Sequence, residues 1–472
     1  MKSTAHLFPE NARRALQDDN LRLALGNVEK GFAGARRNAR EALPEFDALR
    51  DQARDLKNHV LENLDAYLER FEAKVVENGG QVHWCERPEE ANRVILELCR
   101  SVEARTVTKG KTMIAEETAL NDYLAEHDIE AIETDLGEYI IQLADEPPSH
   151  IIAPAVHKTK DEVSDLFQEH HQKYGLTERQ TDPRAMLDEA RQVLRQKFIA
   201  ADVGITGANF LIAETGTSVI VTNEGNGDLT QTLPKMHIVM ATPEKLVPTL
   251  EDVTLLLRLL SRSATGQELS VYTTFSTGPR RPGDLDGPEK YHVVLLDNGR
   301  TELLASEFRD VLRCIKCGAC LFHCPVYSSV GGHAYGWVYP GPMGAILTPR
   351  LIGLESTRHL PNASSLCGRC EDICPMRIPI PRMLRRFREQ ALESKFVPLK
   401  ERAGLKLWAW FARRPRLYRL ATGLAARVLH NMALGRGRFS ALPLVGGWTG
   451  GRDLAAPEGR TFMAAWKRRS QR

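Results

Sequence analysis

The sequence has no long hydrophobic run. No stretch of 18 uncharged apolar residues occurs in its 472 residues, so we expect no membrane-spanning helix. A signal-like N-terminus is also missing, which argues against a secreted protein held together by disulfides. Neither the G-x-G-x-x-G fingerprint nor the Walker loop is present, so the usual signatures of dinucleotide and nucleotide binding are missing. The 42% of hydrophobic residues is nevertheless ample for a packed core.

Cysteine is scarce, with nine residues in the chain, but seven of them lie within 61 residues. They form two runs, each followed by proline: Cys314, Cys317, Cys320, Cys324 with Pro325, and Cys367, Cys370, Cys374 with Pro375. The spacing C-x2-C-x2-C-x3-C-P is that of bacterial two-cluster ferredoxins, in which the fourth cysteine ligates the other cluster. The two runs therefore predict two iron–sulfur clusters and a role in electron transfer.

The same spacing predicts which thiols share a cluster, because the proline after the fourth cysteine directs the chain away from its own cluster. Cluster one, a [4Fe–4S] cluster, would take Cys314, Cys317, Cys320 and Cys374. Cluster two would take Cys324, Cys367 and Cys370, and its fourth position falls at Ser364. Ligation by serine, a [3Fe–4S] cluster, and an iron with a water or partner ligand all remain open there.

Zinc binding and disulfide formation account for the cysteines less well than iron–sulfur clusters do. Zinc sites use pairs of cysteines or histidines, and a run of four followed by proline suits them poorly. A disulfide framework belongs to small secreted domains, whereas thiols and clusters indicate a reducing compartment, so we expect a cytoplasmic protein. The remaining cysteines, Cys85 and Cys99, are isolated, and we interpret them as small buried hydrophobes.

Charge is distributed unevenly along a chain whose net charge is only +2. From Met376 to Arg472 there are 22 Lys and Arg against 5 Asp and Glu, a local charge of +17, so the rest of the chain carries −15. Arginines lie among apolar residues there: Arg413, Arg414, Arg416 and Arg419 with Leu407, Trp408, Trp410, Phe411 and Leu417. We expect this segment to dock on an acidic partner; anionic headgroups and a solvated basic face are the alternatives.

Periodicity divides the chain into four parts: a helical N-terminal extension (1–78), an α/β domain (79–300), a helical cluster domain (301–393) and a basic C-terminal segment (394–472). Strands are predicted at Gln81–Cys85, Thr106–Thr108, Ile129–Glu133, Phe210–Ala213, Ser218–Thr222, His237–Ala241 and His292–Leu296. Helices are predicted at Asn11–Asn78, Pro88–Val102, Ile114–Leu124, Leu250–Leu260, Leu303–Cys314, Leu399–Arg413, Leu417–Leu429 and Thr461–Arg469. Strands that alternate with helices predict an α/β sheet.

Four polar clusters in the α/β part are candidates for an anion site at the strand ends. They are Lys109-Gly110-Lys111, Glu116-Glu117, Gly204–Asn209 and Glu214–Thr217, and ordinary turn chemistry accounts for them equally well. Between the cysteine runs, four aromatic residues are predicted to shield the clusters: Tyr327, Tyr335, Trp337 and Tyr339.

Taken together, these features resemble the lactate utilisation protein B family. The segments Thr206–Ser218 and Asp286–Glu289 resemble its LUD domain, whose fold is similar to sugar-phosphate isomerases and CoA transferases. The cysteine runs resemble its α-helical ferredoxin domain, and Gly447–Asp453 with Ala456-Pro457 resembles its C-terminal segment. The combination of a LUD-like segment with the cysteine runs is more specific than the runs alone.

The resemblance implies an iron–sulfur electron-transfer subunit of a complex that oxidises L-lactate to pyruvate without an obvious flavin. It also implies two partners, a second cysteine-rich subunit and a small LUD-only subunit, with L-lactate or an electron acceptor as the small-molecule partner. One alternative is a LUD-domain enzyme that acts on a phosphorylated or CoA-linked metabolite and uses its clusters structurally. A nucleic-acid-binding protein is the weakest alternative, because the basic segment contains no recognisable binding module.

Overall fold

The computed structural model describes residues 3–110, 112–433, 435–442, 449 and 452–469. Lys111 and, from the predicted C-terminal signature, residues 447, 448, 450 and 451 lie outside this set. The chain forms two compact units, Met1–Ala391 and Leu392–Arg472, which we call the main unit and the tail unit. No helix among the described residues is long and apolar enough to cross a membrane.

The N-terminal extension is helical, as predicted, but it consists of several helices: α1 (Phe8–Ala15), α2 (Asp19–Glu41), α3 (Phe46–Glu62) and α4 (Leu64–Glu77). Asp18 begins α2 by accepting the backbone N–H of Leu21 with its side chain. Pro44 follows the end of α2, where proline disfavours the helical conformation of the residue before it. The apolar faces of these helices pack into the main unit, with Phe46 and Phe71 fully buried.

The α/β part begins at the first strand and contains ten strands in the described residues: β1 (Gln81–Cys85), β2 (Thr106–Gly110), β3 (Glu130–Glu133), β4 (Val203–Gly207), β5 (Phe210–Ile212), β6 (Thr217–Thr222), β7 (Met236–Ala241), β8 (Leu246–Val247), β9 (Tyr272–Ser276) and β10 (Lys290–Leu296). The helices of this part are α5 (Pro88–Arg100), α6 (Met113–Thr118), α7 (Leu120–Ala125), α8 (Leu136–Leu143), α9 (Lys160–His171), α10 (Pro183–Ala200), α11 (Asn226–Thr232) and α12 (Leu250–Ala264). Short 3-10 turns add Gln172–Tyr174 and Pro243–Lys245.

Six strands form an all-parallel sheet in the order β1-β10-β7-β4-β2-β3. In its centre Ile205 of β4 is opposite Ile238 of β7, and both are fully buried. Continuous apolar strands of this kind are expected where helices cover both faces of a parallel sheet. The predicted fold class is confirmed: a mixed α/β part with a parallel sheet, followed by the cysteine-bearing region.

A second sheet of four strands has the order β8-β5-β6-β9, with β5 and β6 antiparallel. Gly216 turns the β5–β6 hairpin with a φ of +67°. A Cβ at this position would lie 2.6 Å from the backbone nitrogen of Val75 in α4. Glycine is therefore required both by the turn and by its close packing on the N-terminal extension.

The cysteine region is built of short helices: α13 (Arg300–Leu304), α14 (Ala319–Phe322), α15 (Tyr327–Val330), α16 (Gly341–Leu351), α17 (Leu354–Thr357), α18 (Arg369–Asp372) and α19 (Ile380–Glu393), with 3-10 turns at Arg309–Arg313, His333–Tyr335 and Leu360–Asn362. The prediction of one helix over Leu303–Cys314 is wrong. Ser306 interrupts it, because its hydroxyl donates to the carbonyl of Leu303 and accepts the N–H of Phe308.

One hydrophobic core joins the three parts of the main unit. It contains Leu25 and Phe46 from the N-terminal helices, Leu256 from α12, and Phe308 and Phe387 from the cysteine region. The cysteine region therefore packs on both the extension and the α/β part.

The tail unit contains α20 (Leu399–Ala412), α21 (Pro415–Met432), the antiparallel pair β11 (Arg438–Phe439) and β12 (Leu454–Ala455), and α22 (Phe462–Arg469). Its helices agree with the prediction to within a few residues. No described residue of α20 or α22 is buried, and α21 buries only Ala426.

Candidate iron–sulfur centres

Four cysteines line one small cavity in the main unit: Cys314, Cys317, Cys320 and Cys374. The rest of its lining is formed by glycine, proline and apolar side chains, such as those of Ile151 and Met343. Three of the thiols come from the first run and one comes from the end of the second. The structure thus brings together the set that the crossed spacing predicts for cluster one.

The loop around this cavity curls because two of its residues adopt left-handed backbone conformations, Lys316 with φ +57° and Gly318 with φ +70°. The backbone N–H of Lys316 lies 3.4 Å from the Sγ of Cys314 and donates to it. Cys320 then follows in the first turn of α14. This geometry turns three thiols of one short loop toward the same space, which longer regular structure would not allow.

The cavity is a poor place for isolated thiolates. Burial, and after it the thiols of Cys314 and Cys374, raise the pKa of Cys317 to about 12. Burial likewise raises the pKa of Cys374. Thiolates at this place therefore require positive charge close by, and the irons of a cluster would supply it.

The other three cysteines of the runs form a second group. Burial, and then the thiols of Cys324 and Cys367, raise the pKa of Cys370 to about 12. Cys367, in contrast, is exposed to solvent. Hydrogen bonds from the backbone N–H of Arg369 and from the side chain of Ser365 lower the pKa of its thiol. The group therefore extends from the interior to the surface of the main unit.

Ser364, at the fourth position that the spacing predicts for cluster two, is engaged in a local turn. Its Oγ accepts the N–H of Leu366 at 3.1 Å, and Leu366 has a φ of +55°. Its carbonyl accepts from the guanidinium of Arg388 at 2.8 Å. The i+2 contact of Ser364 matches that of Cys314 with the N–H of Lys316, so the turn places the serine at a ligand-like position without deciding whether it ligates.

The four aromatic residues of the insert are all buried, as the predicted shielding role requires. Tyr327 donates to the carbonyl of Ser149 at 2.9 Å, and Tyr339 donates to Glu117 at 2.7 Å. The hydroxyl of Tyr335 has no hydrogen-bond partner among the described residues, although the side chain is fully buried. Burial raises the pKa of this phenol well above its usual value, and the thiol of Cys324 adds to the effect.

Three features of the chain suit sulfur-rich groups at these positions. The Oη of Tyr335 and the Nε2 of His150 are buried donors without a protein acceptor in the described structure. Gly318 has no side chain to fill the space beside His150. Cluster sulfurs accept hydrogen bonds from such donors, and the thiols provide soft ligands for iron. The residues present therefore fit iron–sulfur clusters.

Two arginines of the N-terminal extension reach the second cysteine run. Arg36 donates to the carbonyl of Ile373 at 2.5 Å, and Arg50 donates to the carbonyl of Cys374 at 2.7 Å. Burial lowers the pKa of Arg36, which the thiol of Cys317 opposes. Sequence reasoning assigned no chemistry to this extension, because nothing in the spacing distinguishes these arginines from their exposed neighbour Arg37.

Two of the four polar clusters of the α/β part meet in the structure. The ammonium of Lys109, at the end of β2, lies 2.6 Å from a carboxylate oxygen of Glu116 and 2.6 Å from one of Glu133. Within the described part of the chain, a cavity beside them is lined by no lysine, arginine or histidine but by seven carboxylate residues: Glu116, Asp122, Glu130, Glu133, Glu138, Asp145 and Glu146. This environment disfavours an anionic ligand.

The other two clusters have structural roles. A Cβ on Gly204 would lie 1.8 Å from the carbonyl oxygen of Thr230, so glycine permits α11 to pack on β4. Asn209 accepts the N–H of Val221, and Glu214 accepts the N–H of Leu250 at the start of α12. Glu117 pairs with the buried Arg300 at 2.8 Å instead of joining Glu116. Turn and packing chemistry accounts for these residues.

Three family models match successive segments of the chain. Residues 68–296 match the LUD domain, residues 310–378 match a 4Fe-4S dicluster domain, and residues 390–471 match the C-terminal domain of lactate utilisation protein B. Lactate utilization protein B of Exiguobacterium sp. is 42% identical over 98% of this chain and 97% of its own length. The chain belongs to the lactate utilisation protein B family. The predicted resemblance is thereby confirmed.

Further relatives are similar to this chain as well. Lactate utilization protein B of Shouchella clausii is 41% identical over 98% of this chain and 97% of its own length. A protein of Escherichia coli K12 described as the uncharacterized electron transport protein YkgF is 40% identical over 98% of this chain and 96% of its own length. A solved structure of a DUF162 family protein from Deinococcus radiodurans aligns with 49% of this chain and 98% of its own, at 14% identity and a TM-score of 0.29.

Proposed function

We propose that this protein is the iron–sulfur electron-transfer subunit of a complex that oxidises L-lactate to pyruvate. The observation that carries the proposal is the arrangement of its cysteines in two neighbouring groups, one facing an interior cavity and one reaching the surface at Cys367. Two carriers placed in this way form a route for electrons from the interior to a docking partner. The names of full-length relatives, which refer to lactate utilisation and electron transport, support the direction of the proposal.

We assign the ligands as the spacing predicts. Cluster one is a [4Fe–4S] cluster held by Cys314, Cys317, Cys320 and Cys374, and the shared cavity supports this set. Cluster two is a [4Fe–4S] or [3Fe–4S] cluster held by Cys324, Cys367 and Cys370, whose thiols influence one another's pKa. We rank an iron-deficient cluster or a ligand from outside the chain above serine ligation, because an alkoxide is a harder and less favourable ligand for iron than a thiolate.

We expect the chain to act together with further subunits. Oxidation of L-lactate to pyruvate releases two electrons and two protons, and an iron–sulfur cluster carries electrons one at a time. We propose a second cysteine-rich subunit and a small LUD-only subunit as partners, in the reducing cytoplasm where cysteine thiols stay available for clusters. We do not assign lactate binding to the cavity beside Lys109, because its carboxylate residues disfavour an anion. The complex as a whole would bind lactate.

The same acidic cavity argues against the second candidate function, a LUD-domain enzyme that acts on a phosphorylated or CoA-linked metabolite. Phosphate groups are anionic, and the charged residues that line this cavity in the described part of the chain are all carboxylates. The buried cation beside it, Lys109, is already held by Glu116 and Glu133. The electrostatics thus disfavour a phosphate group at this cavity.

Anaerobic purification followed by EPR tests the proposal. The protein would be isolated with its partner subunits, its iron and sulfide would be quantified, and L-lactate would be added while the reduced-cluster signals are followed. We expect two clusters per chain and reduction by L-lactate only when the partners are present. D-lactate serves as the matched control. Clusters that stay oxidised in the complete complex, or a chain that converts a phosphorylated metabolite by itself, would overturn the proposal.

A further inference from the structure

His150 belongs to the α/β part but lies against the first cysteine run. It is fully buried in the segment between α8 and α9. Its imidazole stacks on Phe322 of α14 with ring centroids 4.2 Å apart and an interplanar angle of 19°. The ring of Tyr327 packs against the same imidazole in an edge-to-face arrangement, with ring centroids 5.7 Å apart. The ring is thus fixed in position beside the loop that carries Cys317 and Cys320.

The hydrogen bonds of His150 determine which nitrogen carries the proton. Its Nδ1 accepts the backbone N–H groups of Ile152 at 3.1 Å and Ala153 at 3.2 Å, so its lone pair is used there. An imidazole whose Nδ1 accepts hydrogen bonds carries its proton at Nε2. This Nε2 has no acceptor among the described residues.

Gly318 brings the ring and the loop together. A Cβ on Gly318 would lie 2.8 Å from Cε1 of His150 and 3.2 Å from its Nε2. Gly318 lines the same cavity as Cys314, Cys317, Cys320 and Cys374. The orphaned N–H therefore lies against Gly318, a lining residue of this cavity, where only a glycine permits the approach. A buried donor without an acceptor is destabilising, so an acceptor is expected in the assembled protein.

We propose that the Nε2–H of His150 donates a hydrogen bond to a sulfur of cluster one, either a sulfide or the thiolate of Cys317 or Cys320. The inference rests on the proposed ligand set of cluster one. A hydrogen bond to sulfur stabilises the more negatively charged reduced cluster and raises its midpoint potential. His150 is then a positioning residue through which the α/β part sets the potential of a cluster held by another part of the chain.

His150→Asn separates the two roles of the ring. The asparagine oxygen can take the place of Nδ1 and accept the N–H groups of Ile152 and Ala153, whereas the donor at Nε2 is lost. In the full-length protein with both clusters, we expect a lower midpoint potential for cluster one in an EPR-monitored titration. Cluster two and the iron content should not change. An unchanged potential for cluster one at full iron content would overturn the proposal.

Two further variants control for disturbance of the loop. His150→Gln places an amide N–H near the position of Nε2 and should restore part of the potential. Tyr327→Phe removes the hydroxyl that holds Ser149 and should leave the potential of cluster one unchanged, because it disturbs the same segment without removing the donor. A shift in Tyr327→Phe equal to that in His150→Asn would attribute the effect to the loop and refute the hydrogen bond.

The wild-type protein provides a measurement that does not depend on any variant folding. Pulsed EPR of the reduced protein containing 15N-labelled histidine should reveal a weakly coupled 15N nucleus and an exchangeable proton at cluster one. Absence of this coupling would overturn the inference even if every variant lost its clusters. If Cys314→Ser removes the cluster one signal while the wild type shows no coupling, the ligand assignment stands and only the role of His150 fails.

Discussion

At the residue scale, Cys374 belongs to the second cysteine run but faces the cavity of the first. The short helix α18 and the turn that follows it carry the chain from Cys370 to Cys374. Pro375 follows at once and lines the cavity too. A linear assignment of one run to one cluster would separate Cys374 from the three thiols with which it shares this space.

Crossed ligation makes Cys374→Ser and Cys314→Ser equivalent. Both substitutions should remove or alter the EPR signal of cluster one, because each replaces a thiolate with a harder and less favourable oxygen ligand. Cys367→Ser should instead affect cluster two. Cys99→Ser is the control, since Cys99 is buried in a separate hydrophobic core within the α/β part and should leave iron content unchanged. A Cys374→Ser protein that keeps the signal lost in Cys314→Ser would contradict crossed ligation.

Gly318 and Gly368 provide a second comparison at single residues, because each follows a cysteine of a C-x2-C pair and each has a left-handed φ, +70° and +86°. Alanine at either position costs about 1 kcal/mol of backbone strain. Only at Gly318 would the new Cβ collide, at 2.8 Å from His150, whereas nothing lies within 4 Å of the Cβ position at Gly368. We therefore expect Gly318→Ala to lower the occupancy of cluster one and Gly368→Ala to retain both clusters, as measured by iron content and EPR. Equal losses in the two variants would assign the effect to backbone strain alone.

At the scale of elements, the N-terminal helices support the second cysteine run. Arg50 of α3 donates to the backbone carbonyls of Asp372 and Cys374, both at 2.7 Å, and forms an ion pair with Asp47. A buried guanidinium at this place offers positive charge beside an anionic cluster. It also satisfies carbonyl groups that the short helix α18 leaves free.

Arg50→Met should therefore lower the midpoint potential of cluster one and reduce stability. The methionine keeps much of the apolar stem, while the loss of the buried hydrogen bonds costs on the order of 1–3 kcal/mol. Arg54→Met is the matched control one turn later, where the guanidinium pairs with Asp51 and Asp55 at a partly exposed position. EPR-monitored redox titration and thermal unfolding of both variants provide the measurement. Equal shifts in the two would point to a general charge effect of the helix.

Seven strands and three helices of the α/β part were predictable from their own apolar patterns, whereas the central strand β4 and the helices α8 to α11 were not predicted. The predicted strand at Gln81–Cys85 and the helix at Pro88–Val102 agree with β1 and α5 to within two residues. The prediction failed at Leu303–Cys314, where a serine side chain competes for backbone hydrogen bonds. Pattern alone does not reveal such local competition.

The candidate site was likewise predictable only in part. The cysteine spacing is local, so the sequence alone predicted the thiols that share the first cavity. His150, Arg36 and Arg50 lie more than 160 residues from the thiols that they approach, and tertiary packing alone brings them there. Buried polar residues of this type have no spacing signature, which is why they could not be predicted.

At the scale of the whole molecule, the tail unit presents both positive charge and apolar surface. Trp408 is 62% exposed and Trp410 is 46% exposed on α20, and the guanidinium of Arg414 lies 4.1 Å from the ring centroid of Trp410. Large exposed aromatic residues beside arginines are typical of protein interfaces. We therefore expect the tail unit to dock on an acidic surface of a partner subunit.

Truncation after Glu393 should weaken co-purification of the partner subunits while iron content stays the same, because every proposed cluster ligand precedes this residue. A full-length variant with Gln at Arg413, Arg414, Arg416 and Arg419 is the control for charge. It should keep the apolar contacts and bind more weakly at low salt, with a smaller loss at high salt, because screening already reduces the contribution of the arginines there. Retained co-purification after truncation would refute docking by the tail unit. Binding of the intact protein to anionic vesicles, lost on truncation while the partners still co-purify, would instead assign the tail unit to a membrane surface.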